Sequence, residues 1–432
     1  MGFHLHRNSS AIRMHLESER RKKITRFEMT QSKEYRSVRI TRLFMKMVGL
    51  WYVETPRERL LLRAAFSYAI WAIVFAILVV GVDLYYCIGD FYAVTSNLCT
   101  TLLLIMILVK LGSFMFYRDI VFDLIRFAEK NFWSTTYDEF GAQVLETYDK
   151  LGMTMVYIFT FIVYIATFNY IFAPFFEIQE TNVTKKILPF KLWFDFPYHS
   201  PYYEVTYTIQ SFSTIHSGIC TCCFDNFVST FNIHVAAQLK ILAHKVEVIV
   251  EKCIENTVNG ECPPNIMEMA LKKLQNCIQQ HLTLICYVRN MQRAFAVILL
   301  GQLLLSSIVI CFGGFQFLET NVAVRKFLFA CHFVGGLIQL FIYTWTCNDI
   351  IIQSTAISDA AYNSKWYLLS NNDPGKTLRK GLIMIMIRAR RPCTLTAGYV
   401  TVISLDTFMG ILSKAMSYFT LLRQMSEEEI KF

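Results

Sequence analysis

Charged residues are scarce in this chain. Asp, Glu, Lys and Arg supply 17% of its 432 residues, whereas 54% are hydrophobic and 15% are aromatic. Soluble globular domains carry about a quarter charged residues, so this composition excludes that class. Six stretches contain none of the four charged residue types, and a helix of about 20 residues suffices to cross a bilayer. These predicted spans are Ala64–Val82, Phe91–Val109, Leu151–Phe176, Val205–Phe224, Ala294–Leu318 and Phe327–Asn348.

Catalytic motifs are also missing. The histidines are scattered, and the chain has no H-E-x-x-H, G-x-S-x-G or Walker sequence. We therefore expect neither an enzyme nor a cofactor. The run Cys220-Thr221-Cys222-Cys223 looks like half of a metal site, but it lacks a second half and lies in an apolar span, so we interpret it as helix packing. No basic stripe interleaved with aromatics predicts nucleic-acid binding, and the net charge of +9 indicates membrane topology and contact with anionic lipid.

The basic residues are distributed unevenly between the loops. No cleavable signal peptide is evident, because the first 60 residues are polar, and the first span is expected to act as a signal anchor. With the N-terminus inside, the four cytosolic segments hold 32 Lys and Arg, and the external loops with the C-terminal tail hold 7. This asymmetry predicts a cytosolic N-terminus and, after seven crossings, an extracellular C-terminus. The sequon at Asn182 then lies outside and is a candidate glycosylation site.

The last predicted span, Pro392–Gln424, is the most polar of the seven. It carries Asp406 and Lys414, and a charge near the bilayer midplane costs at least about 2.5–3.5 kcal/mol unless it faces water or a partner. The span is therefore the first candidate for lining a pore. Lys110 closes the second span, and its long stem is expected to extend to the cytosolic interface.

Amphipathic stretches continue beyond the fourth span and precede the fifth. Their apolar residues recur near every 3.6 positions on both sides of a turn at Gly260–Pro264, which predicts two long cytosolic helices. Such faces must be buried, and self-association of subunits is the natural explanation. A third cytosolic helix is predicted after the sixth span, with Asp373 as its N-cap.

The C-terminal region resembles the signature of insect odorant receptors. The matching residues run from Trp366-Tyr367 through Arg379-Lys380, Arg391-Pro392, Thr396-Ala397-Gly398 and Phe408 to Ser417-Tyr418-Phe419-Thr420. The resemblance implies an all-α membrane protein with seven transmembrane helices, a cytosolic helical anchor and a pore-lining last helix. It also implies a ligand-selective subunit of an odorant-gated, non-selective cation channel, a heteromeric tetramer with the odorant co-receptor in the plasma membrane of olfactory sensory neuron dendrites.

Two features favour a ligand-selective subunit over the co-receptor. The cytosolic segment between spans four and five lacks the co-receptor's long insertion, and span seven has Lys414 where the co-receptor is small and apolar. The alternatives are a G-protein-coupled receptor or a gustatory-type chemoreceptor. The reversed topology and the absence of Asp-Arg-Tyr and Asn-Pro-x-x-Tyr disfavour the first, and the absence of Gln-Phe in span seven disfavours the second.

The resemblance also implies the positions of the sites. The odorant, a small hydrophobic or volatile molecule, is expected between spans two, three, four and six, and permeating cations along span seven. Candidate ligand-binding residues are Tyr92, Tyr164, Thr167, Phe168, Phe212, Ile215 and Phe327. Candidate pore and gate residues are Lys414, Ser417, Leu421, Gln424 and Met425. Ser417 and Leu421 lie on a stripe with Leu405, Met409 and Ser413, and Gln424 and Met425 are at its outer end. Trp366 and Tyr367 are the candidate assembly residues.

The predicted organisation has successive parts along the chain. They are a cytosolic N-terminal segment (1–60), transmembrane helices 1–4 (61–239) with an extracellular loop (177–203), cytosolic helix extensions (240–293), transmembrane helices 5–6 (294–348), a cytosolic anchor segment (349–391), the pore-lining helix (392–425) and an extracellular tail (426–432).

Overall fold

The computed structural model describes residues 35–53, 55–181, 186–193, 198–255 and 262–429. Within these residues the fold is almost entirely helical. The α-helices are α1 (Arg36–Val48), α2 (Pro56–Cys87), α3 (Phe91–Phe116), α4 (Arg118–Ala128), α5 (Glu139–Thr181), α6 (Tyr202–Glu247), α7 (Glu251–Glu255), α8 (Pro264–Glu319), α9 (Ala323–Asn363), α10 (Asp373–Ala389) and α11 (Leu405–Glu429). A π-helical turn spans Glu129–Trp133, a 3₁₀ turn spans Trp366–Leu368, and strands β1 (Thr396–Ala397) and β2 (Thr401–Val402) pair antiparallel.

Five helices in the described part of the chain, α2, α3, α5, α8 and α9, are long and apolar enough to cross a membrane. The other two predicted crossings fall on α6 and α11, which are more polar. In α6 the hydroxyls of Thr214, Ser217 and Thr221 each donate to the carbonyl oxygen four residues earlier, at 2.8–3.0 Å. A hydroxyl bonded to its own helix leaves no unsatisfied donor, which makes it compatible with an apolar environment.

The last helix is shorter than the sequence predicted. Residues 392–404 are not helical, because Pro392 disfavours a helical residue before it and the chain turns back at Gly398, whose φ is +55°. The amide of Gly398 donates to the carbonyl of Ala296 on α8 at 2.9 Å, which fixes the β1–β2 hairpin against that helix. The helix therefore begins at Leu405, and Asp406 lies in its first turn.

The end of the bundle that contains α1, α4, α7, α10 and the adjoining ends of α6 and α8 is called the anchor end. Here α1 packs on α5 and α6, and its Ser37 amide and hydroxyl both donate to Asp149 of α5. Leu274 of α8 faces Gly381 of α10, where no larger side chain fits without a shift. Much of the apolar surface expected to be buried by self-association is thus buried within one chain.

The N-cap of α10 differs from the prediction. Its cap is Asn372, whose Oδ1 accepts from the Gly375 amide at 3.0 Å, and Asp373 is the first helical residue. The helix starts at Asp373 because Pro374 is favoured in a first turn. Asn372 is therefore the residue whose side chain can reach the free Gly375 amide.

Candidate functional site

A cavity of about 140 Å³ lies between α3, α5, α6 and α9. Its walls are mainly aliphatic and aromatic, with Leu104, Phe159 and Ile162 among the contributors. Gly218 on α6 and the pair Gly335-Gly336 on α9 line it too. These glycines let neighbouring helices approach closely, since a Cβ at Gly218 would lie 2.7 Å from the Thr167 hydroxyl oxygen. An apolar cavity of this size accommodates a molecule about as large as benzene.

Most polar atoms at the cavity wall already have partners. Thr100 of α3 and Tyr170 of α5 share a short hydrogen bond, and the hydroxyls of Thr214, Ser217 and Thr221 are bonded to their own helix. His332 of α9 lines the same wall, and its Nδ1 is buried without a partner among the described residues. The cavity is therefore apolar with a few fixed polar positions, the usual pattern of a small-molecule site.

A buried ion pair lies at the inner end of the cavity. Asp225 of α6 accepts hydrogen bonds from Lys110 of α3 and from Gln339 and Tyr343 of α9, each at 2.5 Å. Gln339 also lines the cavity. Lys110 is 1% exposed, so the prediction that it extends to the interface is wrong. The carboxylate of Asp225, 115 residues further along the chain, offers a partner that the sequence around Lys110 does not reveal. A buried charge is tolerated when it is paired in this way.

The seven candidate ligand residues do not form one site. Thr167 is the member that lines the cavity. Tyr164, Phe168 and Phe327 line a separate, open recess on the outer side of α5. Tyr92, Phe212 and Ile215 line neither of these two, and Phe212 is 60% exposed.

Several residues that line the cavity were not among the sequence candidates, foremost Tyr170 on α5 and His332 and Gln339 on α9. They lie on the cavity-facing sides of these helices. A usable signal was present in the small residues Gly218, Gly335 and Gly336. Close-packed membrane helices favour small residues at their interfaces.

The candidate pore stripe lies on the exposed face of α11. Met409, Ser413, Ser417 and Leu421 are exposed, Leu421 at 54%, and Lys414 and Gln424 are exposed as well. The opposite face, which contains the 1% exposed Ala415, packs on α8 and α9. The side chain of Met425 lies outside the described residues.

The candidate assembly residues lie on a turn that projects beside α10. Arg379 of α10 donates to the carbonyls of Leu369 and Ser370 at 2.8 Å and so fixes the end of this turn. Trp366 is half-buried and Tyr367 is 66% exposed. Asn182 lies outside the described residues.

The anchor end contains a buried histidine whose titration is perturbed. His281 of α8 is 5% exposed. Burial, and secondarily the nearby positive charge of Arg388, lowers the pKa of His281 to about 4. The imidazole is therefore neutral at physiological pH. In the described part of the chain, no three His, Cys, Asp or Glu side chains are arranged to hold a metal ion.

Comparison with known proteins gives consistent matches. The family model described as 7tm odorant receptor matches residues 90–416. Odorant receptor 13a of Drosophila melanogaster is 24% identical over 415 residues, covering 90% of this chain and 96% of that protein. Odorant receptor Or2 of Anopheles gambiae is 25% identical over 225 residues, covering 52% of this chain and 57% of that protein.

The fold also matches a solved structure. The insect olfactory receptor OR5 from Machilis hrabei in complex with eugenol superposes with a TM-score of 0.75 at 13% identity, over 90% of this chain and 97% of that chain. This likeness concerns the fold, and together with the apolar helices it confirms the predicted all-α multi-pass membrane protein.

Proposed function

This chain belongs to the insect odorant receptor family, and from that premise we propose that it is the ligand-selective subunit of an odorant-gated cation channel. The predicted family resemblance is confirmed, and a receptor of this family is not an enzyme. The observation that carries the proposal is the apolar cavity between α3, α5, α6 and α9. A small hydrophobic odorant that fills it contacts four helices at once, so binding favours any arrangement in which the cavity fits it better.

The cavity is the proposed odorant site in place of the full candidate set. Thr167 stays in the proposal because it lines the cavity. Tyr164, Phe168 and Phe327 remain candidates for a second, shallower contact through the open recess. The solved relative was obtained with eugenol, which is larger than benzene, and an aromatic odorant about as large as benzene is the class proposed for this cavity.

The pore is proposed to form from the exposed face of α11 in several subunits. A single chain leaves Met409, Ser413, Ser417 and Leu421 uncovered beside the exposed Lys414, and a charged side chain on an uncovered helix face is costly in lipid. Four such faces around an axis would place the hydroxyls and Lys414 along a watery path. Leu421 would then form an apolar constriction that closes by dewetting.

The partner is proposed to be the odorant co-receptor, joined at the anchor end. The exposed Tyr367 and half-buried Trp366, on a turn fixed by Arg379, form an aromatic projection suited to an interface. The basic-residue asymmetry supports a cytosolic anchor end, a cytosolic N-terminus and an extracellular C-terminus in the plasma membrane.

The test is co-expression. Cells that express this chain with the co-receptor are expected to show odorant-evoked cation currents, tested with a panel of small aromatic and aliphatic volatiles. Cells with the co-receptor alone supply the background. Surface biotinylation confirms that both subunits reach the membrane. A chain that reaches the surface with its partner and gives no volatile-specific current above that background contradicts the proposal.

A further inference from the structure

Gln339 has an amide whose orientation is fixed by its partner. A carboxylate can only accept hydrogen bonds, so the group that faces Asp225 must be the Nε2 amine of Gln339, at 2.5 Å from Oδ2. The other carboxylate oxygen, Oδ1, is taken by Lys110 and Tyr343. An amide that turned over would place its oxygen against the carboxylate, and two acceptors repel. The cluster therefore holds the amide in one of its two orientations.

The oxygen of the same amide has no protein donor. Among the residues that the structure describes, no group donates to Oε1 of Gln339, although the side chain is 93% buried and lines the cavity. An acceptor that faces a small apolar cavity loses its water when a ligand enters, so a ligand that brings a donor is favoured over one that does not.

The hydroxyl of Thr221, the neighbouring polar group at this end, can only accept a hydrogen bond from a ligand. Thr221 lines the cavity one turn before Asp225 on α6, and its hydroxyl hydrogen is committed to the carbonyl of Ser217 at 3.0 Å. Its oxygen keeps lone pairs and no free hydrogen. The inner end of the cavity thus presents acceptors.

The outer end is different in character. His332 lies seven residues before Gln339 on α9, a rise of about 10 Å along the helix. A neutral imidazole has one donor and one acceptor nitrogen, and the Thr100–Tyr170 pair leaves one hydroxyl hydrogen uncommitted. Donors are therefore available at the outer end, whereas the inner end offers the acceptors Gln339 Oε1 and Thr221 Oγ1 together with the second Nε2 hydrogen of Gln339.

We propose that Gln339, held by Asp225, makes this cavity select odorants that carry a hydrogen-bond donor, a hydroxyl or N–H group, on a small apolar body. The inference rests on the proposed odorant site. The donor points inward to Oε1 of Gln339, and the ring or chain fills the aliphatic walls toward His332. An ether of the same shape leaves Oε1 unpaired and still has to be desolvated, so it binds more weakly.

Matched ligand pairs test this directly. Benzyl alcohol and anisole are isomers, as are 2-phenylethanol and benzyl methyl ether, and within each pair only the alcohol has an oxygen that carries a hydrogen. In cells that express the chain with the co-receptor, the wild type is expected to respond to the alcohol at about tenfold lower concentration, which corresponds to about 1.4 kcal/mol. In Gln339→Leu, the ratio of the concentration at which the ether evokes a response to that at which the alcohol does should fall to near one.

Two further variants separate the mechanism from general damage. In the double variant with Lys110→Met and Asp225→Asn, Gln339 remains but the carboxylate that orients it is gone, and the ratio should fall as well. Gln302→Leu removes another buried glutamine, which bonds Ser306 and does not line the cavity, and the ratio should stay at its wild-type value. Surface biotinylation reports whether each variant folds.

The outcomes distinguish this inference from the proposed function. A wild-type channel that responds to ethers as well as to alcohols, or only to volatiles without a donor, overturns the selectivity and leaves the channel function standing. An unchanged ratio in Gln339→Leu overturns the role of Gln339. The proposed function fails in another way, when no volatile evokes a current at all.

Discussion

Lys110 and Asp225 form the most deeply buried ion pair among the described residues. The two side chains are 2% and 4% exposed and lie 2.5 Å apart, and they join α3 to α6 far from bulk water. Removing one member of a buried pair leaves an uncompensated charge and costs about 3–5 kcal/mol. Both single substitutions are therefore expected to destabilise the chain severely.

The two substitutions are not expected to cost the same. After Lys110→Met, Asp225 still accepts from Gln339 and Tyr343, and each hydrogen bond to a charged group contributes about 1.5–3 kcal/mol. After Asp225→Leu, Lys110 retains the Tyr343 ring, with its Nζ 5.7 Å from the ring centroid, a contact of at most about 2 kcal/mol. Asp225→Leu should thus be the more damaging change.

The double variant with Lys110→Met and Asp225→Leu removes both charges and should recover most of the loss. The assay is the thermal midpoint of the detergent-solubilised chain by fluorescence-detected size exclusion. Lys150→Met is the control, because its pair with Glu146 is largely exposed and should contribute less than about 1 kcal/mol. If the double variant loses the sum of the two single losses, the groups are not coupled and the reasoning fails.

Four further outcomes are expected. Acidification from about pH 6.5 to 4 should destabilise the anchor end by up to about 3 kcal/mol. In this range the unfolded chain binds a proton at His281, whereas the buried imidazole of the folded chain, with a pKa of about 4, stays neutral. His281→Leu should flatten this pH dependence of the thermal midpoint, and an unchanged dependence contradicts the prediction. Trp366→Ala should lower co-purification with the co-receptor roughly fivefold at unchanged membrane insertion, and normal recovery refutes the interface. Leu421→Ser should raise odorant-independent current several-fold by easing wetting of the constriction, and unchanged basal current argues against a gate there. Asn182→Gln should abolish an endoglycosidase-sensitive mobility shift. Asn8→Gln, at the sequon Asn8-Ser9-Ser10 of the N-terminal segment, should leave the shift intact, and the reverse pattern overturns the proposed topology.

The all-helical membrane fold could be predicted from the sequence because charge-free runs of about 20 residues have few structural alternatives. The same logic fails where polar groups satisfy one another across helices. The residues around Lys110 predict that it ends a span. Its partner, Asp225, is 115 positions away in the chain. Pairing at that separation depends on tertiary packing and leaves no periodic signal.

The ligand site was harder to predict for a related reason. Aromatic residues such as Phe168 and Phe212 suit a binding pocket, but they suit lipid equally well, since both surroundings are apolar. In the structure they point outward, and the cavity lies on the faces that carry Gly218 and Gly336. Hydrophobicity cannot separate the inner face from the outer face in a membrane protein, whereas side-chain size at helix interfaces can.

The central claim is that an odorant acts from inside the cavity between α3, α5, α6 and α9. Ile162 lines that cavity, and Ile158, one turn away on the same helix α5, is 47% exposed and lies outside it. Ile162→Trp therefore places a larger side chain in the cavity, and Ile158→Trp makes the same change on the exposed surface of the helix. Odorant dose–response curves on cells that co-express each variant with the co-receptor should show the response lost in Ile162→Trp and kept in Ile158→Trp, at equal surface levels. Equal responses from both variants would contradict the account.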